Sequence, residues 1–222
     1  MPWYAHSTED QAKADWQSLA EHCLGVAVLA AEMAKLLGLE RAAFFAGLFH
    51  DLGKYCMDFQ HRLEGKDVRV DHSTAGAQVL LALAQGPDKL VAHLIAYAIL
   101  GHHAGLPDWL NETDACCDTR LKRPLALDPA WKEELNPEIS GLLPDMVAHF
   151  PKTSPERAFA FAFMTRMLFS CLVDAEAWIE TPVWDWSARR VASRLLAEAW
   201  IETFRSDPME IRASSPPCGG VD

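Results

Sequence analysis

Apolar positions recur along this chain at intervals of three and four residues, and the two-residue alternation of a half-buried strand is absent. Leu19, Cys23, Val26, Ala30, Met33 and Leu37 form the first stripe, which predicts a helix from about Asp15 to Leu37 with Gly38 as its stop. A second helix is expected from about Glu40 to Asp51, ending in a loop around Gly53. A third should begin near His72-Ser73 and run to about Ala84, where Gly86-Pro87 breaks the pattern. The fourth covers about Asp88 to His103, with Val91, Leu94, Ile95, Ala98 and His102 in line, and Gly105 and Pro107 terminate it.

From about Leu106 to Thr153 the period loosens, and Pro107, Pro124, Pro129, Pro137, Pro144 and Pro151 all fall there. That stretch reads as loops and short helices, a lid or a docking surface. A long helix is then expected over about Pro155 to Ile179, and another over about Ser187 to Phe204 with Val191, Leu195, Ala199 and Trp200 inward. The tail from Asp207 to Asp222, with Pro216-Pro217 and Gly219-Gly220, is expected to be disordered. No internal repeat is visible. The expected fold class is all-α: a single helical bundle over residues 1–206 with an irregular insertion, and a flexible C-terminal tail or linker over 207–222.

Composition adds limits rather than detail. The chain has 222 residues, half of them apolar and 23% charged, the balance of a globular protein with one sizeable core. No run approaches the roughly 18 to 20 apolar residues of a membrane span, and the N-terminus lacks the basic start of a secretory signal. The expectation is a cytoplasmic protein with no membrane contact. The six cysteines form no C-x-x-C pair and read as small apolar fillers. A net charge of −11 is unlike a free-standing nucleic-acid binder, so any such role must rest on bound cations, a local basic strip or a partner that delivers the strand. Arg120, Lys122 and Arg123, and Arg189, Arg190 and Arg194, are the candidate local cations.

The chemistry concentrates at His50-Asp51-Leu52-Gly53-Lys54, which closes the apolar run Phe44, Phe45, Leu48, Phe49. An adjacent His and Asp at a helix end can present a nitrogen and an oxygen toward one point; the glycine is expected to turn the chain away and leave Lys54 facing the same cavity. His22 falls in the apolar stripe of the first helix, where a satisfied core histidine is the plain alternative. His72 opens a helix within Asp71-His72-Ser73-Thr74, where capping by Asp71 or Ser73 is the alternative. His102-His103 end a helix on its apolar side, where paired histidines lack a packing reason. Asp174 is read on an inward line of Met164, Met167, Cys171 and Trp178, and a buried carboxylate is costly unless paired or bound to a metal. Together these seven ligands suit two ions bridged by one carboxylate, with Asp51 the natural bridge. Paired divalent ions about 3.5 to 4 Å apart polarise a phosphoryl oxygen and activate water, the chemistry of phosphoester hydrolysis. An imidazole-rich set favours manganese, iron, cobalt or nickel over magnesium.

The order His22, His50-Asp51, His72, His102-His103, Asp174 resembles the HD phosphohydrolase superfamily. More narrowly, the chain resembles the HD nuclease domain of the signature nuclease-helicase of type I CRISPR systems. That match rests on Tyr4-Ala5-His6-Ser7, Trp16, Leu19, Glu21-His22, Gly47 to Tyr55, Phe59-Gln60, Leu63, Asp71 to Ala77, and Gly101-His102-His103-Ala104-Gly105-Leu106. It covers about residues 1–180 in consistent order. The resemblance implies that His22, His50, Asp51 and Asp174 hold one ion, and Asp51, His72, His102 and His103 the other. It implies Asp51 and Lys54 as catalytic residues, with Lys54 on the scissile phosphate or leaving oxygen, and Ser73 orienting the substrate. His6 is expected to pack or cap rather than to ligate.

The activity so implied is metal-dependent endo- and exonucleolytic cutting of single-stranded DNA in antiviral CRISPR interference. The implied partners are the DNA strand, a helicase domain or subunit that feeds it, and the RNA-guided surveillance complex. No G-x-x-x-x-G-K-[ST] phosphate loop occurs, so the motor must be separate or missing. The alternative is an HD phosphohydrolase acting on nucleotides. A helical scaffold with a purely structural metal is the non-enzymatic reading, and seven potential ligands exceed the four of a structural zinc site.

Overall fold

The computed structural model describes residues 2–10 and 12–180 of the chain. Eight α-helices occur among them, with one small antiparallel pair of strands, so the architecture is all-α. The strands are β1 (Tyr4–His6) and β2 (Gln17–Ser18), which pair Tyr4 with Ser18. The periodicity did not anticipate them, because two or three residues are too short to show an alternation. The helix expected from Asp15 therefore starts four residues later.

Helix α1 (Leu19–Ala34) begins at Ser18, whose hydroxyl accepts from the Glu21 amide at 3.4 Å. Ser18 and Glu21 have the spacing of a capping box, and the serine half of it satisfies one of the donors orphaned at the helix start. A short 3-10 turn (Lys35–Leu37) follows, and Gly38 takes a left-handed φ of +63° to end the run. Helix α2 (Glu40–Phe49) is buried continuously from Ala42 to Phe49 and packs against α1, α5 (Asp88–Gly101) and α8 (Ser154–Glu180), which makes it the centre of the bundle. A 3-10 turn (Leu52–Lys54) leads to α3 (Met57–Leu63), a short helix that the sequence pattern did not separate from its loop. Helices α4 (Ser73–Leu83) and α5 (Asp88–Gly101) pack on each other, close to their expected bounds.

The segment expected to be irregular carries only α6 (Cys117–Leu121), α7 (Ala130–Leu135) and a 3-10 turn (Asp145–His149). Helix α8 (Ser154–Glu180) completes the bundle. By length and composition it is apolar enough to cross a membrane, contrary to the expectation that no segment comes close. Its C-terminal half packs on α1, α2 and α5, burying Met164, Leu168, Cys171, Leu172, Ala175 and Ile179. The helix expected over 187–204, the tail over 207–222, and Arg189, Arg190 and Arg194 lie outside the described residues.

Candidate metal centre

Each residue of the centre stands at a helix end or on a helix face that the packing turns inward. His22 lies in the second turn of α1, His50 and Asp51 follow α2, His72 immediately precedes α4, and His102 and His103 follow α5. Packing α1, α4 and α5 around α2 brings these points together, although up to 81 positions separate them in the chain (103 − 22).

Asp51 is fully buried, and its two carboxylate oxygens face different partners. Oδ2 lies 3.1 Å from His22 Nε2 and 3.3 Å from His50 Nε2. Oδ1 lies 3.5 Å from His72 Nε2 and 3.7 Å from His102 Nε2. His103 joins the second set, its Nε2 2.5 Å from that of His72. Two ligand groups result, His22, His50 and Asp51, and Asp51, His72, His102 and His103, sharing only the aspartate. The first is enclosed by protein, whereas the second opens to solvent at His103.

The protonation pattern suits cations. His50 Nδ1 and His102 Nδ1 lie 2.6 Å from the carbonyl oxygens of Gly47 and Ile99. A carbonyl can only accept, so each Nδ1 donates to it, which fixes the ring and turns each Nε2 toward the centre. Burial, followed by the Asp51 hydrogen bond and charge that oppose it, leaves His22 at a pKa of about 3, so its ring is neutral. Burial likewise drops His72 to about 3 and His103 to about 4. Burial pushes the Asp51 carboxyl up, but its close neighbours His50, Lys54, His102 and His22 outweigh it and hold the group well below the usual range. Buried Asp51 Oδ1, His102 Nε2 and Glu176 Oε1 have no hydrogen-bond partner. Polar atoms are seldom buried without a partner, because their lost hydration goes uncompensated. Imidazole nitrogens around an ionised carboxylate could hold divalent metal ions, in two groups that share Asp51.

Asp174 does not join this set: it is exposed. The inward stripe of α8 runs through Met164, Leu168, Leu172, Ala175 and Ile179, and Asp174 is two residues, roughly 200°, around the helix from Leu172. Glu176, four residues on from Leu172, comes back to within about 40° of it and is buried. Its Oε1 lies 4.0 Å from His50 Nε2 and 3.9 Å from His102 Nε2, between the two ligand groups. Burial raises its carboxyl to a pKa of about 7, against the pull of His102. The inward acidic position that the sequence reading gave to Asp174 is occupied by Glu176. The signal that could have found it was the line through Leu168 and Leu172 at four-residue spacing, which competes in α8 with the line of Met164, Met167, Cys171 and Trp178.

Lys54 also differs from its expected setting. It is buried, with Nζ 2.6 Å from Asp51 Oδ2 and 3.3 Å from the Ala5 carbonyl oxygen, so it neutralises the aspartate rather than standing free in a cavity. Gly53 does not reverse the chain through a left-handed φ, because it belongs to the 3-10 turn. A Cβ there would sit 2.2 Å from the His72 carbonyl oxygen, so glycine is needed for the close approach of the two segments. The Gly53 amide donates to that same oxygen at 2.9 Å. The Ser73 hydroxyl meets Arg120 Nη2 at 2.6 Å and Asp71 Oδ1 at 3.4 Å. Arg120 and Arg123 both pair with Asp71, and Lys122 with Asp118, so all three candidate local cations of this segment are ion-paired within the chain. His6, on β1, stacks edge-on to His22 with ring centres 4.9 Å apart, consistent with a packing role.

No curated protein matches the chain. The family model for the HD domain matches residues 19–130, half of the chain, from the first residue of α1 to the first of α7. That span contains every histidine of the centre together with Asp51 and Lys54, while Glu176 lies beyond it. HD domains are typically metal-dependent hydrolases, and the His/Asp cluster within the matched span could hold metal ions; on that match the chain belongs to the HD domain family.

Proposed function

We propose that this HD protein is a metal-dependent phosphodiesterase that cuts single-stranded DNA, in CRISPR interference, on strands delivered by a separate helicase. The observation that carries the hydrolytic part is Asp51, whose two oxygens face two histidine sets, one enclosed and one open to solvent. Divalent ions held there would polarise a phosphoryl oxygen and lower the pKa of water, with the protein supplying a fixed, dry surround. His22, His50 and Asp51 would hold one ion and Asp51, His72, His102 and His103 the other, with Glu176 reaching both groups. The Nδ1 protons of His50 and His102, committed to backbone carbonyls, keep the ligand nitrogens aimed. Substrate would enter at the His72–His103 side, where the centre meets solvent.

The preference for a single strand rests on charge and access. A chain of net charge −11 offers little long-range attraction to a stiff polyanionic duplex. A flexible strand can lead one phosphate into a centre recessed among helix ends. The narrower CRISPR reading draws on the motif resemblance over 1–180. The test is digestion of single-stranded circles and relaxed duplex circles with manganese or nickel, with and without ATP, beside a nucleotide panel. Single-stranded circles should be cut, duplex circles largely spared, ATP without effect, and chelator should stop the reaction. Rapid nucleotide hydrolysis with both DNAs intact would overturn this reading in favour of a nucleotide phosphohydrolase.

A further inference from the structure

A second polar cluster lies behind the solvent-facing half of the centre, built on Arg120 of α6. Its guanidinium donates to four acceptors: Thr74 Oγ1 at 3.0 Å, the Leu100 carbonyl at 2.7 Å, Asp71 Oδ1 at 3.2 Å and Ser73 Oγ at 2.6 Å. Asp71, Ser73 and Thr74 flank His72, and Leu100 precedes His102 and His103 by two and three residues. One side chain therefore joins the start of α4 to the end of α5, the two places from which these three histidines project.

Each acceptor has a reason to want a donor. Leu100 lies in the last turn of α5, where carbonyls have no partner within the helix. Asp71 sits at the start of α4, accepting from the Thr74 amide at 3.2 Å and the Thr74 hydroxyl at 2.7 Å, and its charge is paired with Arg120 and Arg123. A rigid fork of five N–H groups can meet all four acceptors at once, which the single ammonium of lysine cannot. None of the four belongs to α1 or α2, which carry His22 and His50.

We infer that Arg120 is a positioning residue for one half of the metal centre, holding His72 and the His102–His103 pair together while leaving the His22–His50 half untouched. The irregular segment between α5 and α8 thereby acquires a purpose: it delivers the clamp. Arg120's own anchor is separate, since Gln78 of α4 donates to the carbonyls of Leu121 and Arg123 at 3.0 and 2.7 Å. Helix α6 thus stays docked when the Arg120 side chain is replaced.

This inference rests on the two-ion reading, and the experiment separates the two. Purified full-length protein is dialysed against manganese and its metal content is measured by mass spectrometry. Manganese paramagnetic resonance then distinguishes a coupled pair of ions from a single one. The unsubstituted protein should hold two ions per chain, and Arg120→Met should hold one, with the other weakened by about 10- to 100-fold, as loss of a ligand's outer partner does. Arg120→Lys, which keeps the charge without the fork, should behave like Arg120→Met. Thr74→Val, which removes one acceptor at constant volume, should show the same selective weakening in smaller measure even if the Arg120 variants fold poorly. Fewer than two ions in the unsubstituted protein would overturn the two-ion reading and this inference with it. Two ions at undiminished affinity in Arg120→Met, or full rescue by Arg120→Lys, would overturn the clamp alone.

Discussion

Asp51 shows how one side chain can organise a centre. Its carboxylate has no exposure, so its charge must be met by neighbours, and Lys54 is the residue that meets it at 2.6 Å. An ion bound at Oδ2 would supply the same compensation, so Lys54 and metal are partly redundant for stability. In chelator, Lys54→Met should cost on the order of 3 kcal/mol in urea unfolding, because it leaves a buried charge unpaired. With saturating manganese the deficit should shrink to a small fraction. Equal deficits under both conditions would show that Lys54 stabilises the fold in some way unrelated to Asp51. The His50-Asp51-x-Gly-Lys54 string was legible as a site because its residue types have no packing reason to follow an apolar helix. That the lysine folds back onto the aspartate was not legible, because a side chain four carbons long can reach either solvent or its own turn.

At the scale of the element, the packing of helix α8 decides which acidic residue faces the centre. Its sequence is apolar on nearly all sides from Phe159 to Leu172, so lines of three- and four-residue spacing fit almost equally well. Packing against α1, α2 and α5 selected the line through Leu168, Leu172 and Glu176, which leaves Asp174 exposed. Glu176→Gln should lower metal affinity and hydrolysis by tenfold or more, while Asp174→Asn should match the unsubstituted protein in both. Calorimetric manganese titration of the two variants side by side is the check, and the reverse ranking would return the ligand role to Asp174. Gly53 carries a similar lesson. A glycine after His-Asp reads as a turn, yet the backbone of His72 presses against the place where a Cβ would be. Only the neighbouring segment, distant in sequence, supplies that reason.

Across the whole molecule, the cluster of buried imidazoles makes stability depend on pH. His22 and His72 have pKa values of about 3, and His6 and His103 about 4, against an ordinary value of 6.5, burial being the main cause in each case. Below pH 6.5 the unfolded chain takes up protons that the folded one refuses, so acidification favours unfolding. Glu176, raised to about 7, works the other way between its unfolded value of 4.5 and 7, one group against four. The urea midpoint of the metal-free protein should therefore fall between pH 7 and pH 5, and a midpoint that holds or rises would show that the centre is less desolvated than its geometry implies. By itself the sequence determined the all-helical class, the approximate bounds of α2, α4, α5 and α8, and five histidines and one aspartate of the centre. Those features are local: apolar periodicity and misplaced polar residue types are visible without knowing what packs where. Tertiary structure alone decided the division of the ligands between the two oxygens of Asp51, the choice of Glu176 over Asp174, and the commitment of Arg120 to Asp71, Ser73, Thr74 and Leu100. Each of these depends on the rotation of one helix against another, and a helical period that repeats within a fraction of a residue leaves that rotation to packing.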